Sequence, residues 1–360
     1  MSLDLENAVA SLGGAASTPS DRLKPVRIWL YALAALVLLM VAVGGATRLT
    51  DSGLSITQWK PISGAIPPLS TADWQHEFDL YKSIPEFAQQ NFWMLLDDFK
   101  FIYWWEWSHR FLGRLIGVVF AIPFVVFLFQ RRIPGRLAPW LAVLFVLGGL
   151  QGALGWWMVT SGLTQRIDVS QYRLAAHLGA ASLLFFALVF VARLVRSETA
   201  VRLKFDARWM WTLALFGLLV FLQILMGAFV AGMDAGYGFN TWPLMDGKFI
   251  PDNLIVVEPI WRNVFEMHLT AQFTHRMIAY LVLTVVLILF GLSRLSANTM
   301  LKGWVQILFW AVLGQVVLGI LTLVLVIPVP LALAHQSLAF MVFGLVSAAL
   351  ADGTAISFEK

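Results

Sequence analysis

The sequence predicts an all-α integral membrane protein of eight transmembrane helices, arranged as two parallel-repeat four-helix bundles. Three observations lead there. Hydrophobic residues make up 59% of the 360 and charged ones only 13%, whereas a typical globular domain is roughly 45–50% apolar even with glycine counted. Eight stretches meet or approach the ~20 apolar residues that a spanning helix needs. Third, the chain carries an internal duplication. A mean hydropathy of +0.77 excludes a disordered chain or a nucleic-acid binder, despite a net charge of +4. The absence of cysteine removes disulfides, iron–sulfur clusters, thiolate metal sites and a cysteine nucleophile. That leaves six histidines as the soft nitrogen ligands.

The spans are expected at 28–47, 103–129, 138–159, 172–195, 209–231, 267–291, 303–326 and 331–350. A polar tail, 1–27, precedes them; with Asp4 and Glu6 it lacks the arginine-rich, acid-poor look of a transit peptide. The first bundle takes 28–195 with a long outer loop at 48–102, and a linker follows at 196–208. The second takes 209–350 with an outer loop at 232–266, before a tail at 351–360. Orientation follows from the Lys/Arg bias. Arg22, Lys24 and Arg27, then Arg131, Arg132 and Arg136, then Arg193, Arg196, Arg202, Lys204 and Arg208, and finally Arg294 and Lys302 share one side. The two long loops are acidic, with Asp73, Glu77, Asp79, Glu86, Asp97 and Asp98 in the first and Asp234, Asp246, Asp252, Glu258 and Glu266 in the second. Both termini are therefore expected in the cytoplasm and both long loops outside.

Residues 43–64 align without a gap on 226–247: Asp51-Ser-Gly53 falls on Asp234-Ala-Gly236, Trp59 on Trp242 and Gly64 on Gly247. Trp107-Ser-His-Arg110 matches Phe273-Thr-His-Arg276, and Gln151-Gly-Ala-Leu-Gly155 matches Gln315-Val-Val-Leu-Gly319. Four spans separate corresponding segments, an even number, so the copies enter the membrane the same way round, as a parallel repeat does.

His109, His177, His275 and His335 fall on the second, fourth, sixth and eighth spans. Each is expected within about two turns of its helix's outer end at ~1.5 Å per residue. Ionisable residues in a membrane usually face a bundle interior with a partner, and a lone histidine is as readily an interhelical hydrogen-bonder. Two facing imidazoles per bundle are suited to axial ligation of haem iron. Trp104, Trp105, Trp107, Trp156 and Trp157 offer flat apolar walls or interface anchors. Gly148, Gly149, Gly152 and Gly155 offer either close helix packing or room for a flat ring. Arg110, Arg114 and Arg276 are suited to carboxylate groups such as propionates, or else to pairing with Glu106 or snorkelling. His76 and His268 read as surface residues. The repeat fails at one telling place: Glu106, three residues before His109, is matched by Gln272 before His275. A carboxylate beside one histidine pair and an amide beside the other implies two different jobs. The structural alternative is a Glu106–arginine ion pair.

The stretch from Asn91 through Phe99-Lys-Phe-Ile-Tyr-Trp-Trp-Glu-Trp-Ser-His-Arg-Phe-Leu-Gly-Arg114 resembles the signature of the haem A synthase family. So do Gly45-Ala-Thr-Arg-Leu-Thr-Asp-Ser-Gly-Leu-Ser-Ile56, His177 after Ala-Ala, Thr274-His-Arg276 and Ala334-His-Gln336. The resemblance implies that His109 and His177 ligate the substrate haem O, and that His275 and His335, with Arg276, hold a haem b cofactor. It makes Glu106 the catalytic glutamate, with Arg110 and Arg114 beside the substrate. The implied reaction oxidises the methyl at ring position 8 through an alcohol to a formyl group, making haem A for terminal oxidases. Implied partners are membrane lipid, haem O synthase and oxidase assembly factors; self-association stays open. Lacking cysteine pairs in the outer loops, the chain looks most like the proteobacterial and mitochondrial branch. With no transit peptide, a bacterial inner membrane is the expected location. A di-haem, quinol-linked electron-transfer cytochrome is the alternative, and a repeat-built transporter a weaker one.

Overall fold

The computed structural model describes residues 19–195 and 204–354, with side chains from Leu23 onward. The expectations for Asp4, Glu6, Arg196 and Arg202, and for the ends of both tails, lie outside the described residues, as does the Arg22 side chain. Eight described helices are long and apolar enough to cross a membrane. In chain order they are α1 (Pro19–Leu49), α4 (Leu96–Phe129), α5 (Ala138–Val159), α6 (Gln171–Leu194), α7 (Ala207–Gly232), α9 (His268–Ser293), α10 (Thr299–Val324) and α11 (Val329–Gly353). Short helices α2 (Thr71–Lys82) and α3 (Pro85–Gln89) lie in the first long loop, and α8 (Arg262–Glu266) in the second.

The expected spans are all present, but α4 starts at Leu96 rather than 103. The reason is chemical. Asp98 accepts a hydrogen bond from the Leu95 backbone N–H at 3.0 Å, and Asp97 joins it in the first turn, where carboxylates suit the free N–H groups and the helix dipole. Acidic residues that looked like loop are a helix start. His109 is consequently more than three turns inside α4, not two, while His177, His275 and His335 do lie about two turns from their helix starts.

Within the first half, α1 packs on α4 and α6, and α5 on α4 and α6; in the second, α7 packs on α9 and α11, and α10 on α9 and α11. Each half thus closes as a ring of four helices, as a duplication would give. The halves meet through α1, α6, α7 and α11. Their main core, from Val26 and Leu30 on α1 to Phe340 and Val346 on α11, is concentrated toward the end away from the long loops. A second core, around Tyr81, Phe99 and Tyr103, fastens α2 and α3 to the projecting start of α4. Between the two lies the histidine level. Ionic ties brace the halves at both ends. At the long-loop end Arg48 reaches Asp234 at 2.7 Å; at the other, Arg193 of α6 grips buried Asp352 of α11 through two bonds of 2.8 and 2.7 Å. Trp304 donates to the same carboxylate.

Removing one partner from a bonded charge leaves the other uncompensated, at roughly 1.5–3 kcal/mol for bonds to charged groups. Asp352→Ala is therefore expected to lower the detergent-solubilised protein's unfolding midpoint, while Asp252→Ala, on an exposed pair with Lys248, leaves it unchanged.

Candidate functional site

The four spanning histidines share one construction. Each ring lies against a glycine of a neighbouring helix, where a side chain would crowd it, below 3.0 Å at Gly155 and Gly319. A Cβ at Gly44 would stand 3.0 Å from His109 Nε2, and one at Gly155 2.9 Å from His177 Cε1. In the second half, one at Gly227 would stand 3.3 Å from His275 Cε1, and one at Gly319 2.8 Å from His335 Cε1. Gly44 and Gly227 are equivalent in the repeat, as are Gly155 and Gly319. His109 and His177 are electrostatic neighbours, as are His275 and His335, so the pairing is within each half. Gln151 donates to the His177 backbone carbonyl at 2.7 Å and Gln315 to that of His335 at 3.0 Å. His335 Nδ1 is buried with no hydrogen-bond partner. Such an atom in a low-dielectric interior is costly unless something else ligates it.

The halves diverge beside these pairs. Glu106 is 2% exposed. It accepts hydrogen bonds from Ser55 Oγ at 2.8 Å and the Ile56 backbone N–H at 2.6 Å through one oxygen, and from Arg110 Nε and Nη2 at 3.0 and 2.5 Å through the other. Arg110 also donates to the backbone carbonyls of Ile56 and Gln58. In the second half Gln272 stands at the same place with its polarity reversed. Its amide donates to the carbonyls of Ala235 and Gly238 at 2.9 and 2.7 Å, and its oxygen accepts from Arg276 at 3.1 Å. Arg276 binds the carbonyls of Phe239 and Thr241, the equivalents of Ile56 and Gln58. Glu106 thus does pair with arginine, as the structural alternative held, and it remains the one carboxylate at either station.

The arginines serve the loops first. Arg114 donates to the carbonyls of Lys60 and Pro61, yet its Nη1 is buried and unpartnered. Above it a cavity of about 360 Å³ is lined by Lys60, His76, Glu77, Tyr103, Arg110 and Arg114 among others. His76 is exposed at its rim, and His268 is exposed too. Trp59 of the loop stacks on Trp156 at 5.9 Å, with Arg110 over the same indole at 5.5 Å; Arg173 lies over Trp157 at 4.6 Å. Trp104 packs edge-on to Trp107, which stacks on Phe111. Gly148, Gly149 and Gly152 meet nothing within 4 Å, so of that glycine run only Gly155 has a packing partner. Ser55, Gln223, whose amide lies 3.2 Å from His275 Nδ1, and the remaining ring-bearing glycines were not singled out by residue type. The duplication register held the glycines, since Gly44 and Gly227, like Gln151 and Gln315, recur; Ser55 and Gln223 have no counterpart, falling on Gly238 and Met40. An alanine at Gly155 or Gly319 forces a collision worth roughly 1–3 kcal/mol, about tenfold per 1.4 kcal/mol. If these histidines bind haem as the resemblance implies, Gly319→Ala and Gly155→Ala are each expected to lower bound pigment, read by extracted-pigment spectra against protein.

Residues 27–347 match the family model for cytochrome oxidase assembly protein. Over 88% of this chain and 90% of the relative, the sequence is 54% identical to heme A synthase of Parvibaculum lavamentivorans. It is 51% identical to heme A synthase of Azorhizobium caulinodans over 91% and 93% of the two chains. For that of Rhodopseudomonas palustris the identity is 48% over 92% and 90%. Matches of this extent cover both halves and all four histidines. The chain belongs to the haem A synthase family of cytochrome oxidase assembly proteins.

Proposed function

We propose that this protein is a haem A synthase: an oxidoreductase that takes the methyl at ring position 8 of haem O, through an alcohol, to the formyl group of haem A. The observation that carries the reading is the broken symmetry. Two histidine pairs are seated identically on glycines, and only the first has a buried carboxylate beside it. His109 and His177 hold the substrate iron in the first half. In the second, His275 and His335 suit a resident haem b: both rings rest on glycine, and His335 Nδ1 lacks a protein partner. Such a haem, when bound, supplies one-electron transfer.

The protein's own part is positioning and charge. Ser55, Ile56 and Arg110 fix both oxygens of Glu106, so the carboxylate is pre-organised to stabilise positive charge on the reacting carbon or to accept its proton. Gln272 cannot hold a proton and suits a half that only passes electrons. Arg110 and Arg276 anchor the loops over each pair, and Arg114 and Arg276, each with a buried unpartnered N–H, are suited to a propionate. The Lys/Arg bias supports both termini in the cytoplasm and the long loops outside, and the family resemblance a bacterial inner membrane.

Glu106→Gln is the test, in cells that also make haem O. Bound haem is expected to persist while haem A falls on the order of 10²-fold or more and haem O or the alcohol accumulates. Undiminished haem A would remove Glu106 from the chemistry. Haem b alone in the wild type, with no haem O or A, would instead mark a di-haem electron-transfer cytochrome.

A further inference from the structure

Glu86 is a second buried carboxyl on the long-loop side, and the reaction as described does not use it. It sits on α3 and is 3% exposed, and its Oε2 is buried with no hydrogen-bond partner. No hydrogen bond to that oxygen stabilises an anion, and Arg48 is the cation that favours it. Burial first, then the carboxylates of Asp51, Glu106 and Asp168, push its carboxyl up to about 9 against the opposing pull of Arg48. The groups facing it come from every neighbouring element: Tyr81 on α2, Arg48 and Asp51 at the end of α1, Glu106 on α4, and Asp168 on the loop between α5 and α6.

Polar groups run outward from Glu106 toward this cluster. Ser55 Oγ lies 2.8 Å from Glu106 Oε2 and 2.9 Å from the Ser52 carbonyl. Ser52 Oγ is 2.7 Å from Thr50 Oγ1, and Asp51 stands between those two residues in the chain. Asp51 lies 3.3 Å and Asp168 3.7 Å from Arg48, and Asp51 is exposed. The second half has no counterpart: Ser52, Ser55 and Glu106 are replaced by Ala235, Gly238 and Gln272.

We propose that Glu86 is the proton relay of this site, exchanging protons between Glu106 and the aqueous phase on the long-loop side by way of Asp51 and Asp168. It rests on the reading that Glu106 handles protons. The transfer is simple: Glu86 loses its proton outward, and the resulting carboxylate takes the proton from the Glu106 carboxyl, which returns to its anionic state. No electrons move in this step. Glu86 acts through Glu106 and is a positioning residue in that sense, since it touches no part of the haem.

The neutral resting acid makes Glu86→Gln close to an isostere, so folding and haem content are expected to be retained. The experiment uses the full-length protein in lipid nanodiscs and in membranes that supply haem O. Infrared spectra are expected to show a protonated carboxyl band that shifts in D₂O and titrates near pH 9, in line with the raised value above. That band should vanish in Glu86→Gln and persist in Glu106→Gln. Wild-type haem A formation is expected to rise with pH toward that value, because the relay needs the carboxylate. Glu86→Gln should be slower on the order of tenfold or more, should lose the rising limb, and should be rescued in large part by Glu86→Asp. Infrared spectra identical in wild type and Glu86→Gln would overturn the proposal, as would an unchanged rate and pH profile. Full activity in Glu106→Gln would instead overturn the role of Glu106, so the two failures are distinguishable.

Discussion

The interaction on which the rest of the site depends is the Glu106–Arg110 pair. A carboxylate that is 2% exposed in a membrane-spanning helix must be paired or give up its charge. Arg110, one turn further along α4, meets that need at 2.5 Å. The same guanidinium reaches over to the carbonyls of Ile56 and Gln58, so it fastens the first long loop down onto the bundle. Trp59, one residue beyond Gln58, is thereby brought against Trp156. The arginine that neutralises this charge thus also fixes the roof of the first half. The early start of α4 belongs to the same arrangement, because it lifts the helix into the cap built by α2 and α3.

The second half shows what the architecture requires when the charge is absent. Gln272 and Arg276 repeat the geometry, and the loop carbonyls of Phe239 and Thr241 are still held by the arginine. Loop anchoring therefore does not need a carboxylate. What changes is the direction of the remaining bonds: Glu106 receives N–H and O–H groups, whereas Gln272 offers its amide to carbonyls. The neighbouring backbone groups present opposite faces to suit. Glu106 is thus an addition to a scaffold that closes without it, which is the usual position of a residue kept for chemistry rather than stability.

Much of this was written in the sequence. The spans announced themselves by length and apolarity, and α5 runs over the residues expected of it, 138–159. The histidines and the lone carboxylate stood out because ionisable residues are scarce in such segments. Aligning the halves gave the rest of the ligand level. The start of α4 was hidden because Asp97 and Asp98 read as acidic loop, although carboxylates are also what a helix start prefers. The arginines were misleading for another reason: residue type announces an anion partner, while backbone carbonyls, which carry no sequence signature, hold most of their donors. Glu86 could not be recognised at all, since its burial arises from tertiary packing and not from its neighbours in the chain.

The four glycine seats have a consequence for selectivity. His109, His177, His275 and His335 are each set against a glycine, so under the proposed function iron ligation would do little to tell one macrocycle from another. Discrimination must reside at the periphery of the ring, where the halves do differ: a tryptophan roof, Ser55 and Glu106 on one side, and Gly238 and Gln272 on the other. A duplicated cradle makes loading the wrong half the natural error of assembly. Fidelity then rests on side chains that never touch the metal.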